Sequence, residues 1–159
     1  MIKILFVCHG NICRSPMAEF ILKDMVNNLG LSDQFEIASA ATSAEEIWKG
    51  IGNPVYPPAR TELAKHGINC EGKRAVQMKA SDYDKYDYLI GMDSMNIRNM
   101  ERITGHKKGD KIYKLLEFAG LEADCRDPWY TSRFDETYKD VVTGCTAFWE
   151  CLQKEGKIC

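Results

Sequence analysis

Short apolar runs alternate along this chain with segments whose apolar residues recur at helical spacing. The run from Ile2 to Val7 is typical of a buried strand, and residues 35–39 predict a second one. A strand, a helix and a strand of this length favour a right-handed parallel crossover. The intervening helix is predicted over 16–28 and ended by Gly30, and its apolar residues are Ala18, Ile21, Leu22, Met25 and Leu29.

The alternation continues after a break at residues 42–58, where glycines and prolines indicate a surface loop. Helices are predicted over 61–66 and from Asp93-Ser94 to about 102, and strands over 86–91 and 111–116. A long amphipathic helix over 134–152 follows, with Ser132 and Asp135 placed as its capping box. The pattern therefore predicts one α/β domain over residues 1–159, with a doubly wound parallel sheet that binds ligands beyond the carboxyl ends of its strands.

The segment after the first strand, residues 8–15, carries the strongest candidate chemistry; we refer to it as the cysteine loop. Cys8 ends the strand, and Arg14 lies six positions later. Gly10 and Asn11 most readily adopt the left-handed backbone that a tight loop needs. Ser15-Pro16 predicts the N-cap and first residue of a helix. Such a loop can turn backbone N–H groups and the positive end of the helix toward a tetrahedral dianion.

These residue types suit phosphoryl transfer through a covalent intermediate. Cys8 would supply a thiolate nucleophile, and Arg14 would clamp two phosphate oxygens with a geometry that lysine cannot reproduce. Ser15 could donate its hydroxyl proton to the sulfur. The leaving oxygen of a phosphate monoester also needs an acid. Asp127, held extended by the proline that follows it, is the best candidate, and Asp93 is the second.

Two positions of the cysteine loop leave alternatives open. Cys13 either packs as a small apolar residue or forms a reversible disulfide with Cys8 that protects the nucleophile from over-oxidation. His9 either turns its ring toward solvent or helps to bind the substrate. The tertiary structure is needed to choose between the alternatives at each position.

Composition and charge narrow the function classes. With 28% charged residues and a net charge of −2, the 159-residue chain gives no indication of a nucleic acid or an anionic membrane as partner. The first apolar run is too short for a secretory signal or a membrane span. Seven cysteines form an odd set without regular spacing, so we expect reduced thiols in the cytoplasm. Because His9, His66 and His106 make no ligand spacing with these cysteines, we expect no metal.

Several motifs together resemble the low-molecular-weight protein tyrosine phosphatases, in the same order over essentially the whole chain. They are residues 8–16, Ser39-Ala40-Ala41-Thr42, His66-Gly67-Ile68, Met92-Asp93 and Asp127-Pro128-Trp129-Tyr130. The resemblance implies a four-stranded parallel sheet, a cysteinyl-phosphate intermediate, and no metal or organic cofactor. It also implies that Cys8 is the nucleophile and Arg14 binds phosphate. Asp127 would protonate the leaving phenolate and then activate water.

The resemblance further implies supporting roles around the loop, with one departure. Asn11, Ser15 and Ser39 would hold the loop in shape and tune the thiolate. Many family members have a histidine, after the His-Gly-Ile motif, that hydrogen-bonds to the loop asparagine. Lys73 stands at this place here, so the sequence predicts that Asn11 lacks its usual partner. The loop over 44–58 is also longer than usual, and its tip borders the substrate entrance in the family.

A deep, narrow pocket would select a phosphorylated phenol over the shorter side chains of phosphoserine and phosphothreonine. Ile12, Trp129 and Tyr130 would form apolar walls. Trp48 would either join them, fold onto the core or stay exposed. The other predicted substrate-binding residues are His9, Gly10, Asn11, Cys13 and Ser15. We expect a monomer that acts on phosphotyrosine-containing proteins or peptides and binds inorganic phosphate or similar oxyanions.

Four other functions fit part of the pattern. A phosphoarginine phosphatase branch of the family carries threonine at the position of Ile12, so Ile12 favours phosphotyrosine. A thioredoxin-coupled arsenate reductase of the same fold needs resolving cysteines in mid-chain, and none lies between Cys70 and Cys125. A phosphosugar phosphotransferase subunit lacks the Asp-Pro-aromatic element. A phosphotyrosine-binding module without turnover would not need the nucleophile, clamp and acid together.

Overall fold

The computed structural model describes residues 1–156 and has six strands and six helices in this range. The strands are β1 (Ile2–Cys8), β2 (Phe35–Ala41), β3 (Ile47–Trp48), β4 (Ile51–Gly52), β5 (Tyr88–Gly91) and β6 (Ile112–Lys114). The helices are α1 (Arg14–Asn28), α2 (Pro57–Lys65), α3 (Asp82–Lys85), α4 (Ser94–Thr104), α5 (Pro128–Thr131) and α6 (Phe134–Lys154). Short 3₁₀ turns cover Ser32–Gln34 and Leu115–Ala119. Cys159, one of the seven cysteines, lies outside the described residues.

The central sheet has four parallel strands in the order β2-β1-β5-β6, which confirms the predicted doubly wound α/β fold. From β1 the chain first adds β2 on one side of β1 and later adds β5 and β6 on the other side. The winding therefore reverses between β1 and β5, where such sheets bind ligands beyond their carboxyl ends. Cys8 is the last residue of β1 and pairs with Ala41, and Asp93 follows β5 by two residues.

Alternate residues of β1 enter the cores on opposite faces of the sheet. Phe6 packs with residues of α1 and α6, including Leu22 and Phe148, on one face. Leu5 packs with α4 residues such as Met100 on the other face. The sheet is thus covered on both sides, which is what the near-continuous apolar run of β1 requires.

The start of α1 differs from the prediction. The helix begins at Arg14 with Cys13 as its N-cap, so Ser15 is not the cap and Pro16 is not the first helical residue. The Ser15 hydroxyl instead contacts the sulfur of Cys8. Because the loop winds directly into the helix, Arg14 and Ser15 both lie within the first turn, beside the end of β1.

The predicted capping box of the last helix is also wrong. A short helix, α5, precedes it, and Ser132 ends α5 in a left-handed conformation with φ of 58°. The last helix starts at Phe134 with Arg133 as N-cap and without a side-chain cap. Asp135 instead accepts hydrogen bonds from the guanidinium of Arg133, at 3.0 and 3.1 Å.

Other boundaries shift without changing the topology. Residues 42–58 contain a two-stranded hairpin, β3–β4, and α2 begins at Pro57 rather than at 61. The third and fourth strands of the sheet are shorter than predicted, and α3 was not predicted. The predicted N-cap at Asp93 is confirmed, and Gly30 follows the C-cap Leu29 of α1 in the left-handed conformation that ends a helix. Within residues 1–156, no helix has the length and apolarity needed to cross a membrane.

Candidate active site

The sulfur of Cys8 lies at the centre of the cysteine loop and faces three hydrogen-bond donors. The backbone N–H groups of Asn11 and Ser15 point at Sγ from 3.3 and 3.4 Å, and the Ser15 hydroxyl lies 3.0 Å away. Asn11 has a φ of 60°, the left-handed conformation that was expected from its residue type. The sulfur thus lies where the cysteine loop meets the positive end of α1.

Asn11 is held on three sides despite the absence of the usual histidine. Its Nδ2 donates to the hydroxyls of Ser15 and Ser39 at 2.7 and 2.9 Å. Its Oδ1 accepts from the backbone N–H of Val76 at 3.0 Å. Lys73 reaches the backbone oxygen of Ser39 at 3.0 Å. Both polar atoms of the Asn11 side chain therefore have hydrogen-bond partners. Lys73 does not bind Asn11 but binds Ser39, which is one of those partners.

Arg14 is buried and bound by two carboxylates. Its Nη1 donates to Asp93 Oδ2 at 2.7 Å and to the Cys125 carbonyl at 3.1 Å, and its Nη2 lies 3.4 Å from Asp127 Oδ2. Burial by itself lowers the pKa of Arg14. The negative charges of Cys8, Asp93 and Asp127 outweigh burial and raise the pKa above its ordinary value. The guanidinium thus stays charged next to the sulfur.

The two candidate acids have different surroundings. Asp93 caps α4 by accepting from Asn96 N at 2.7 Å through Oδ1, and its Oδ2 holds Arg14 at 2.7 Å. Asp127 is the N-cap of α5, accepts from Trp129 N at 3.0 Å, and has a more exposed side chain, 31% against 19% for Asp93. This comparison favours Asp127 as the acid and Asp93 as the residue that orients Arg14.

The segment that carries Asp127 is tied to the sheet and to α6. Cys125 N donates to the carbonyl of Met92, directly after β5, at 2.9 Å. Arg126 forms a bidentate pair with Asp140 of α6, at 2.9 Å for both contacts. These contacts hold the carboxylate of Asp127 at the same edge of the sheet as Cys8.

The predicted aromatic walls are exposed at the edge of this site. Trp129 and Tyr130 are 62% and 84% exposed on α5. The Trp129 ring lies 5.7 Å from the ring of Tyr56, whose N–H donates to the carbonyl of Ile12 at 2.9 Å. Tyr56 thus contacts both Trp129 and the cysteine loop, and it connects the two. Trp48 is 75% exposed on the β3–β4 hairpin, so it does not fold onto the core.

The hairpin segment also contacts the cysteine loop. His9 Nε2 lies 3.0 Å from Glu45 Oε2, and the ring is half exposed. A side chain at Gly10 would meet Glu46, since an added Cβ would lie 3.2 Å from Cγ of that residue. His9 is therefore engaged by a carboxylate at the rim of the site.

Sequence reasoning missed three residues that shape this site. Glu19 is buried and accepts from the Ser39 hydroxyl at 2.5 Å. Tyr56 links Trp129 to the loop, and the N–H of Val76 fixes the Asn11 amide. Glu19 could have been found from the sequence, because it is a charged residue four positions after Ser15 on the buried side of a predicted helix. Nothing in the sequence pointed to Tyr56 or Val76.

Cys13 is buried in the same loop as Cys8. Burial, followed by the negative charges of Cys8 and Asp127, raises the pKa of the Cys13 thiol to about 12. Cys13 is therefore a neutral thiol at physiological pH.

We expect Cys13→Ala to recover less activity than wild type when dithiothreitol is added after peroxide treatment, by about threefold or more, because Cys8 sulfenate would then oxidise further. Equal recovery would show that no disulfide forms between Cys8 and Cys13.

Comparison with known proteins decides the family. A family model described as low molecular weight phosphotyrosine protein phosphatase matches residues 3–158. The chain belongs to this family. It is therefore a phosphatase, a hydrolase that acts on phosphate monoesters, which confirms the enzyme class that the sequence predicted.

Relatives of this phosphatase match it over nearly their whole length. Low molecular weight protein-tyrosine-phosphatase YfkJ of Bacillus subtilis is 38% identical, with 99% of this chain and 100% of the relative covered. The crystal structure of YfkJ superposes with a TM-score of 0.90 over 98% of this chain and 96% of that one. The phosphatase SP-PTP of Streptococcus pyogenes is 40% identical, with a TM-score of 0.83 over 96% and 93% of the two chains.

A third solved structure has a different stated substrate. The Drosophila arginine phosphatase DARP is 27% identical, with a TM-score of 0.82 over 94% of this chain and 96% of that one. The same fold therefore accompanies two kinds of phosphatase. Overall structural similarity therefore does not distinguish a tyrosine phosphatase from an arginine phosphatase. Only the residues of the site can make this distinction.

Proposed function

We propose that the phosphatase hydrolyses phosphotyrosine in proteins or peptides through a phosphate ester on Cys8. The observation that carries the proposal is the surroundings of Sγ, which faces two backbone N–H groups and one hydroxyl. The cationic Arg14 and the carboxylate of Asp127 lie 3.4 Å apart at the same edge of the sheet. The proposed nucleophile and phosphate clamp come from the cysteine loop, and the proposed acid comes from a second, distant part of the chain.

In the first step, the Cys8 thiolate attacks phosphorus and the bond from phosphorus to the phenolic oxygen breaks. Arg14 stabilises the charge on the phosphoryl oxygens that neither enter nor leave. Asp127 in its acid form gives a proton to the departing phenolate oxygen. The products are a cysteinyl phosphate, a free phenol and an ionised Asp127.

In the second step, water replaces the sulfur. Asp127, now a carboxylate, takes a proton from water as the water oxygen attacks phosphorus. The bond from sulfur to phosphorus breaks, and the thiolate departs toward the Ser15 hydroxyl and the two N–H groups that faced it before. Inorganic phosphate is released and the site returns to its starting state.

The aromatic and apolar rim supports phosphotyrosine as the substrate. Exposed Trp129 and Tyr130 adjoin the acid, and Ile12 offers an apolar side chain at the loop. A flat phenol gains contact area from such walls. The branched apolar side chain of Ile12 offers no hydrogen-bond acceptor to the guanidinium of phosphoarginine. Phosphoserine is too short to reach a buried sulfur from the rim.

Substrate choice is tested with three peptides that differ only in the modified residue. We expect kcat/KM for the phosphotyrosine peptide to exceed that for the phosphoarginine peptide by about tenfold and that for phosphoserine by about a hundredfold. Ile12→Thr should lower the preference for phosphotyrosine over phosphoarginine. Faster hydrolysis of phosphoarginine by the wild type would mean that the protein is an arginine phosphatase.

The same chemistry bears on location and partners. Catalysis by Cys8 requires a reduced thiol, which supports a cytoplasmic protein. The partners we propose are phosphotyrosine-containing proteins or peptides, and inorganic phosphate or similar oxyanions as competing ligands. A monomer would leave the exposed rim at Trp129 and Tyr130 open to a protein substrate.

A further inference from the structure

The residue directly before Asp127 is held by α6 at its backbone N–H, its carbonyl and its side chain. Arg126 N donates to Asp140 Oδ2 at 3.0 Å, and Thr137 Oγ1 donates to the Arg126 carbonyl at 2.8 Å. The guanidinium of Arg126 donates to both carboxylate oxygens of Asp140 at 2.9 Å. Thr137 and Asp140 are three positions apart, so they lie on the same face of the helix. We refer to Thr137 and Asp140 as the α6 anchor.

The α6 anchor differs from an ordinary ion pair on the surface. An exposed pair of an arginine and a carboxylate contributes little, and Arg126 also has such a contact, with Glu136 at 3.2 Å. Asp140 is only 17% exposed, however, and it accepts a backbone N–H in addition to two N–H groups of the guanidinium. Thr137 is fully buried. The anchor therefore fixes the backbone of Arg126 and not only its side chain.

The helix that carries the anchor is itself fixed in the core. Val141, which directly follows Asp140, is fully buried, and it packs in the same cluster as Phe148 of α6 and Phe6 of β1. Because Phe6 lies two residues before Cys8 in β1, the anchor and the nucleophile are positioned by one packed unit. The backbone next to Asp127 is thus held in register with the cysteine loop.

Asp127 needs such a hold because Arg14 attracts its carboxylate. Asp127 Oδ2 lies 3.4 Å from Arg14 Nη2, whereas Asp93 Oδ2 lies 2.7 Å from Nη1 of the same guanidinium. If Asp127 closed to the shorter distance, it would occupy N–H groups that have to bind phosphate. Its carboxyl would also turn away from the leaving oxygen. A proton donor has to lie within hydrogen-bond reach of that oxygen, and a displacement of about 1 Å costs up to about a hundredfold in rate.

We propose that Asp140 is a positioning residue which, together with Thr137, keeps Asp127 out of a close ion pair with Arg14 and directs its carboxyl to the leaving oxygen. The inference rests on the proposed role of Asp127 as the acid. Asp140 contacts neither the sulfur nor the substrate in this mechanism, so its effect passes through the backbone of Arg126. Loss of the anchor should therefore slow the hydrolysis of esters whose leaving group needs a proton.

The test is Asp140→Ala, which removes the acceptor of all three N–H groups. We expect kcat/KM to fall by about ten- to thirtyfold for an aryl phosphate whose phenol leaves poorly. For a strongly activated phenol the fall should be about threefold or less, because such a phenolate departs without a proton. The inhibition constant of inorganic phosphate should rise by about threefold, because the released Asp127 competes for Arg14.

Asp135→Ala is the matched control for this variant. Asp135 also binds an arginine through both carboxylate oxygens, at 3.0 and 3.1 Å, but its partner Arg133 is six residues beyond Asp127 and α5 lies between them. Its removal should change neither the dependence on the leaving group nor the inhibition by phosphate. If Asp135→Ala had the same effects as Asp140→Ala, the loss of any ion pair on α6 would explain them and the proposal would be wrong.

A double-mutant cycle separates positioning of the acid from a general loss of structure. In an Asp127→Ala background, Asp140→Ala should lower kcat/KM by less than about twofold for every ester and should leave phosphate inhibition unchanged. Thr137→Val removes only the donor to the Arg126 carbonyl, so it should show the same dependence on the leaving group at a smaller size. An equal loss for all leaving groups, or a loss that persists without Asp127, would overturn the proposal.

The same series distinguishes this inference from the proposed function. Thermal unfolding of each variant is followed by circular dichroism, and Asp140→Asn replaces the alanine variant if that protein does not fold. If Asp127→Ala lost no more activity with poor leaving groups than with activated ones, the acid of the proposed function would be wrong. If Asp127→Ala showed that dependence and Asp140→Ala did not, the positioning role alone would be wrong.

Discussion

A Cys8→Ser protein is expected to lose aryl phosphatase activity by about four orders of magnitude or more in kcat/KM. The structure surrounds position 8 with donors, namely the N–H groups of Asn11 and Ser15 and the Ser15 hydroxyl. Donors stabilise a thiolate that has already ionised, but they cannot take a proton from a serine hydroxyl. The variant would therefore hold an unactivated alcohol in front of phosphorus. Steady-state hydrolysis of p-nitrophenyl phosphate measures the loss.

Binding should survive this substitution, because the loop and Arg14 remain. Inorganic phosphate is expected to bind Cys8→Ser within about threefold of its wild-type affinity, measured by isothermal titration calorimetry. Cys151→Ser is the matched control, since Cys151 lies near the far end of α6, whose Trp149 packs on Phe35 at the opposite edge of the sheet. Activity of Cys8→Ser comparable to that of the control would refute the covalent mechanism.

An Asp127→Ala protein is expected to lose activity according to the leaving group. With a phenol that leaves poorly, kcat/KM should fall by about a hundred- to a thousandfold, because the oxygen departs without a proton. With a strongly activated phenol the loss should be about tenfold or less, since such a phenolate is stable without protonation. A series of aryl phosphates with different leaving groups, compared in wild type and variant, measures the change in slope.

Two other carboxylates serve as comparisons in the same series. Asp135→Asn should leave the slope and the rates unchanged, because Asp135 is an exposed partner of Arg133. Asp93→Asn should lower all rates by a similar factor, because Asp93 holds Arg14 at 2.7 Å and does not meet the leaving oxygen in our mechanism. If Asp127→Ala lowered all rates equally, Asp127 would act on Arg14 alone and another group would be the acid.

The sequence predicted most of the fold because its signals are local. The apolar run of β1 and the helical spacing of α1 and α6 each belong to one element that is buried on known faces. The predicted element boundaries are wrong where a residue with the right type for a helix cap makes a different contact in the folded protein. Ser15 has the residue type of an N-cap, yet its hydroxyl contacts Cys8 instead. Ser132 fits a capping box, yet it ends the short helix α5 in a left-handed turn.

The candidate site divides in the same way. Cys8, Gly10, Asn11, Arg14 and Ser15 all lie within residues 8–15, so the sequence by itself determined the cysteine loop and indicated its candidate chemistry. Asp127 lies 113 positions beyond Arg14, and the approach of the two to 3.4 Å is a result of the sheet order. The preference for Asp127 over Asp93 as the candidate acid needed this geometry, because Asp93 lies 2.7 Å from Arg14 whereas Asp127 lies farther from Arg14 and is more exposed.

Lys73 illustrates what the tertiary structure decided. From the sequence, a lysine where a histidine is usual meant a missing partner for Asn11. In the folded protein the backbone of Val76 holds the Asn11 amide, while Lys73 pairs with buried Glu19. The sequence determined the cysteine loop, whose residues are close together in the chain, and indicated the family through motifs in a fixed order. The support of the loop depends on contacts between α1, β2 and the connection after α2, and only folding brings these together.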